Sequence, residues 1–125
     1  MIRLCTQQEA IDIFNQPKNM HSIGLVTKYI TFQPWICLQG NMRMVFVFWI
    51  IEAGTCEAHI VCSEDSIIKS RELAKELITW LFSHGVKRVI TDCPKGRASN
   101  MAEKIGMNKY KTVNNHCYYE VLSWA

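Results

Sequence analysis

The amino-acid sequence predicts an α/β (α+β) fold: a mixed central sheet with an antiparallel meander, a long helix after the central strand, a parallel crossover and C-terminal strands. Three observations lead there. Thr55 to Phe82 reads as a strand, a short polar turn and a long amphipathic helix, in which Leu73, Leu77 and Leu81 recur every four residues. The segment before it breaks into short apolar runs separated by Gly40-Asn41 and Ala53-Gly54, the pattern of hairpin-connected strands. The segment after it, Lys87-Arg88-Val89-Ile90-Thr91, is a strand reached through a helix, which implies a parallel neighbour.

With 125 residues, 49% of them hydrophobic and 20% charged, the chain suits one domain, residues 1–125, around one core. A net charge of +3 is too small to imply a nucleic-acid partner by itself. The most apolar run, Met42 to Ile51, is interrupted by Arg43 and falls short of the ~20 residues of a membrane span. Polar residues follow the start from Thr6, which does not match a signal peptide. Six cysteines without a Cys-x-x-Cys pair argue against a zinc site. Their apolar surroundings and a reducing cytoplasm argue for buried thiols over disulfides.

The elements follow in order. Thr6-Gln7-Gln8-Glu9 is a capping box, and Ala10, Ile11, Ile13 and Phe14 behind it make a short first helix that Pro17 stops. Ile23 to Phe32 is ambiguous between strand and a turn of helix. Trp35 to Gln39 is a strand, and Arg43 to Ile51 a central strand buried on both faces. Thr55 to Cys62 completes the meander. The long helix spans about residues 66–83 and ends at Gly85. A last helix begins after Pro94-Lys95-Gly96, with Ala98, Met101, Ala102 and Ile105 as its apolar face. Asn108 to Leu122 supplies terminal strands, turned at Asn114-Asn115.

This order of elements resembles the GNAT superfamily of N-acyltransferases. The motifs that carry the resemblance are Trp80-Leu81-Phe82 with Gly85, then Arg88-Val89-Ile90-Thr91, then Ala98, Ala102 and Ile105-Gly106-Met107. They span about residues 43 to 122. Glu57-Ala58-His59 is similar to a Glu-Val-His of phage-encoded members, and the small size resembles GNAT-like head-assembly or DNA-transfer accessory proteins of short-tailed lambdoid phages.

The resemblance implies an acetyl-CoA site at the strand-to-helix turn, with Ile60, Val61, Ser66, Ile67, Ile68, Lys69 and Ser70 as its candidate contacts. No metal is implied. The family's turn is glycine-rich, so that backbone amides can close on the pyrophosphate. Here Ser63 to Ser70 holds no glycine, and Glu64 and Asp65 stand near the proposed phosphate. In the family's later pattern, Asn-x-x-Ala-x-x-x-Tyr-x-x-x-Gly-Phe, the asparagine place holds Lys95, the alanine place Ala98 and the tyrosine place Ala102. Residues that pack the fold are kept, and those that serve the cofactor are not.

Glu57 and His59 alternate on one face of their strand and are candidates for a general base, with Tyr110, Tyr118 or Tyr119 a substitute acid. Their bland alternatives are a hydrogen-bonded polar pair and a packing tyrosine. Lys87, Arg88, Lys95, Arg97, Lys104, Lys109 and Lys111 form a basic cluster that suits a polyanion such as DNA or a solvated surface. Trp124 is a candidate partner contact. The leading expectation is therefore a phage accessory protein acting in head assembly or DNA delivery through protein contacts, with acyl transfer lost or unproven. The resemblance would place it in the bacterial host cytoplasm or on the virion. The alternatives are an active acetyl-CoA-dependent N-acetyltransferase and a nucleic-acid-binding module.

Overall fold

The computed structural model describes residues 1–15, 33–40, 42–62 and 67–123. They form three helices, α1 (Gln7–Phe14), α2 (Ile67–Ser83) and α3 (Arg97–Lys104), and seven strands. The strands are β1 (Ile2–Leu4), β2 (Trp35–Gln39), β3 (Met42–Glu52), β4 (Thr55–Cys62), β5 (Arg88–Pro94), β6 (Asn108–Val113) and β7 (His116–Leu122). The sheet order is β1-β2-β3-β4-β5-β7-β6, with β4 and β5 parallel. The mixed α/β class, the long helix and the parallel crossover are as the sequence predicts. The ambiguous segment 23–32, the turn 63–66 and Trp124 lie outside the described residues.

By packing, the chain divides into two compact units, Met1–Phe48 with His59–Leu73, and Trp49–Ala58 with Ala74–Ala125. In the first unit, Thr6 caps α1: its hydroxyl accepts from the Glu9 N–H at 3.2 Å, and Glu9 accepts the Thr6 N–H at 2.9 Å. Arg3 clamps the same carboxylate through two hydrogen bonds of 2.9 and 2.6 Å. That clamp and the backbone N–H of Thr6 lower the Glu9 carboxyl to about 2. Strand β1 has no counterpart in the sequence reading. Three residues are too few to show a period, and β1 exists only because it pairs with β2, Ile2 opposite Cys37 and Leu4 opposite Trp35. Ile13 is buried, whereas Ile11, expected behind the cap, is exposed.

The expectation of a strand buried on both faces holds for only part of β3. Met44 to Val47 are fully buried, but Ile50 and Ile51 are 58% and 50% exposed. The apolar run continues past the point where neighbours cover it.

In the second unit, α2 buries Ala74, Leu77, Ile78 and Leu81, the face its four-residue repeat predicts. It ends at Gly85 with φ of +94°, while the Val86 N–H reaches back to the Leu81 carbonyl at 3.2 Å. Of the apolar face predicted for helix α3, Ala102 is buried and Met101 and Ile105 are half-buried, but Ala98 is exposed and Ser99 is buried instead. The Ser99 hydroxyl explains this: it donates to the Gly96 carbonyl at 2.9 Å and accepts the Gly96 N–H at 2.8 Å, so a polar residue is buried with its partners in place. The Asn114-Asn115 turn is as predicted, with φ of +48° and +65°, the left-handed pair that matches the twist of a hairpin.

Candidate functional site

The candidate site lies in the second unit, on one face of β4, β5, β7 and β6. The parallel ladder sets Thr55 against Arg88, Cys56 against Val89 and Glu57 against Ile90. One step further, the Thr91 hydroxyl donates to the Ala58 carbonyl at 2.7 Å. The carboxyl ends of parallel strands are where open α/β sheets receive ligands.

Glu57, the third residue of β4, closes the paired register with β5; it is half-buried, with its carboxylate within 4.8 Å of Asp92 on β5. Two like charges at this separation interact by about 1 kcal/mol in water and a few-fold more at a protein surface, so the pair draws a cation. Asp92 Oδ2 accepts a hydrogen bond from His116 Nε2 at 2.6 Å. The edge of the His116 ring meets Tyr118, with centroids 5.3 Å apart at 67°. Tyr118 in turn lies 6.4 Å from Tyr110. Arg88 sits over Tyr110 at 5.8 Å and binds Glu120 at 2.6 Å. A continuous set of polar and aromatic groups therefore runs from Glu57 to Arg88.

Of the predicted catalytic residues, Glu57 meets a second acid, and Tyr110 joins Tyr118. His59 follows Glu57 by two residues on β4 and is 5% exposed. Ile60 and Val61 continue that strand, half-buried and buried. Ile67, Ile68, Lys69 and Ser70 form the backbone of the first turn of α2, and Ser66 lies outside the described residues. Sequence reasoning missed Asp92 and His116. They are separated by a helix and a hairpin, and only the β5–β7 register, Asp92 opposite Tyr118 and Pro94 opposite His116, brings them together. No local motif signals that pairing.

The basic cluster does not form one stripe. A bulge at Tyr110 shifts the β6–β7 register, so Lys109 pairs with Tyr119 and Lys111 with Tyr118. Tyr118 and Tyr119 are consecutive residues on a strand and face opposite ways. The two lysines therefore serve opposite faces, Lys111 with its ammonium 4.9 Å from the Tyr118 ring centroid.

On the other face of β7, Tyr119 is fully buried and donates to the Glu103 carboxylate on α3 at 3.2 Å. Burial, and then this bond, push its hydroxyl up to about 12. Ala102, at the place of the family's tyrosine, is buried and precedes Glu103 on α3. All six cysteines are free thiols. Burial pushes Cys5, Cys56 and Cys93 up to about 11, which keeps them protonated and poor nucleophiles. Among the described residues, no helix is long and apolar enough to cross a membrane.

No protein-family model matches the chain, and no curated protein matches it in sequence. Solved structures do match. The aminoglycoside N(6')acetyltransferase of Legionella pneumophila superposes with a TM-score of 0.75 at 12% identity, covering 98% of this chain and 91% of that one. A Bacillus subtilis acetyltransferase in complex with CoA gives 0.72 at 14% identity, over 98% and 97%. AAC(6')-Ib in complex with Parmomycin and acetyl-CoA gives 0.71 at 16%, over 98% and 92%. The fold is that of the GNAT N-acetyltransferases. At these identities the GNAT likeness concerns the fold alone. It agrees with the family resemblance carried by residues 43 to 122.

Proposed function

We propose that the chain is an acyl-CoA-dependent N-acyltransferase whose acceptor is a cationic amine. The observation that carries this reading is the Glu57–Asp92 carboxylate pair at the carboxyl end of the parallel β4–β5 ladder. Structures of the same fold include complexes with CoA and acetyl-CoA, and two of them are named as aminoglycoside acetyltransferases, whose substrates are amine-rich cations.

The chemistry asks for what this face offers. An amine reaches the site as an ammonium ion, which paired carboxylates attract and orient. It must lose a proton before its lone pair attacks the thioester carbonyl. The C–N bond forms, the C–S bond breaks, and the departing CoA thiolate takes up a proton. Glu57 contributes to holding the cation next to the acceptor of that first proton. The resemblance assigns the acyl-CoA phosphates to the turn 63–66 and the start of α2, where the first backbone N–H groups of a helix have no intrahelical partner.

The test is a thiol-release assay with acetyl-CoA and a panel containing a polyamine, an aminoglycoside and an N-terminal peptide amine. Amine-dependent CoA release is expected, with Glu57→Gln lowering kcat/KM by roughly 10–100-fold. A folded protein that releases no CoA above the amine-free blank with any acceptor would contradict the reading.

A second reading, protein contacts in phage head assembly or DNA delivery, is favoured by one observation. Strand β6 closes the sheet order, and all six of its residues are exposed. An edge strand offers unpaired backbone groups to an incoming chain. This role predicts co-purification with a virion component and defective particles in its absence; normal particles and DNA delivery without the protein would exclude it.

A further inference from the structure

We propose that Asp92 and His116 form a proton-accepting dyad, in which His116 takes the proton of the acceptor amine and Asp92 positions the imidazole. The proposal rests on the acyl-transfer reading and assigns its base to residues that no local motif marks.

The geometry is specific. His116 Nε2 lies 2.6 Å from Asp92 Oδ2. A carboxylate oxygen accepts, so Nε2 carries the hydrogen and Nδ1 presents a lone pair. The ring is held a second time by Tyr118, edge-on at 5.3 Å. One hydrogen bond and one ring contact therefore fix both the tautomer and the plane of the imidazole. The side chains keep 36% and 27% of their surface exposed, so a solvent-borne amine reaches them. Asp92 is also the residue within 4.8 Å of Glu57. The acid that orients the base thus belongs to the pair that attracts the cation.

Among the described residues of the second unit, this face also carries Arg88 on β5, paired with Glu120 of β7, Lys111 and Tyr110 on β6, and Tyr118. Arg88 is neutralised by its partner. Imidazole both takes and returns protons near neutral pH, which suits it better than a carboxylate to deprotonate an ammonium ion.

The step balances. One amine N–H bond breaks and its proton goes to His116 Nδ1, giving an imidazolium whose charge Asp92 compensates. The freed nitrogen pair forms the C–N bond as the C–S pair leaves with sulfur. The imidazolium then returns its proton to the thiolate or to water.

The experiment measures steady-state acetyl transfer from acetyl-CoA to spermidine by the full chain and by His116→Ala, His116→Gln, Asp92→Asn and the Asp92→Asn/His116→Ala double variant. Thermal unfolding confirms that each variant is folded. The dyad predicts that His116→Ala lowers kcat about 100-fold with the amine KM within roughly threefold of wild type. Added imidazole raises the rate of His116→Ala and leaves the other proteins unchanged. Asp92→Asn also lowers kcat, and the double variant is no slower than His116→Ala, because the two act as one unit. A folded His116→Ala or His116→Gln with kcat within roughly threefold of wild type overturns the dyad while leaving acyl transfer standing. A folded His116→Ala that loses activity with no response to imidazole, and a double variant that multiplies the two losses, also overturn it. Wild type that transfers acetyl to no amine overturns the acyl-transfer reading itself.

Discussion

At the scale of single residues, the polar groups of the candidate site have partners distant in sequence. Glu57 was recognisable from its strand, but Asp92 and His116 become a pair only through the β5–β7 register. Two residues also set measurable pH responses. Tyr119 is neutral and buried against Glu103, with its hydroxyl raised from 10 to about 12. Its contribution to stability is therefore complete below pH 10 and lost as the pH rises towards 12. Tyr119→Phe is expected to cost about 1 kcal/mol in urea unfolding at neutral pH, and the difference from wild type should shrink above pH 10. Glu9 has the opposite sign. Its carboxyl is lowered from 4.5 to about 2 by the Arg3 clamp, so its contribution is present above pH 4.5 and disappears as the pH falls towards 2. Wild type should lose more stability than Arg3→Gln over that interval; equal losses would show that the clamp carries no linkage.

At the scale of elements, most boundaries were readable because local chemistry sets them. The Thr6–Glu9 box, the four-residue leucine repeat of α2 and the Asn114-Asn115 turn each state their conformation in a few adjacent residues. What was not readable depended on neighbours. β1 needs β2 to exist, and the outward half of β3 looks as apolar as its buried half. Ser99 is buried on α3, in place of Ala98, because Gly96 satisfies its hydroxyl, which a hydrophobic count does not see. The bulge at Tyr110 sets Lys109 and Lys111 on opposite faces, a register shift that no local residue pattern marks. The hairpin offers a direct check. Asn115, with φ of +65°, tolerates the left-handed conformation better than residues with a bulkier β-carbon environment. Asn115→Gly should leave the unfolding midpoint unchanged or higher, and Asn115→Val should lower stability by about 1 kcal/mol or more. Equal effects of the two would show that the turn is not under this backbone constraint.

At the scale of the whole molecule, the order of strands and helices carries a fold that the sequence comparisons do not reach. Structural likeness at 11% to 18% identity is a statement about packing positions, such as Leu77, Leu81 and Ala102, which can be filled by many apolar residues. The site is constrained differently. Ala102 stands where the GNAT pattern has its tyrosine, and the chain instead assembles carboxylates, an imidazole and two tyrosines on the β4–β5–β7–β6 face. The fold of the GNAT enzymes is thus present with a different set of polar groups. Acyl transfer by this chain requires that the fold take acyl-CoA, which calorimetric titration of the full chain with acetyl-CoA measures. Saturable binding at one site with a micromolar Kd, about −8 kcal/mol, is expected. Absence of binding heat and of thermal stabilisation at millimolar acetyl-CoA would contradict it.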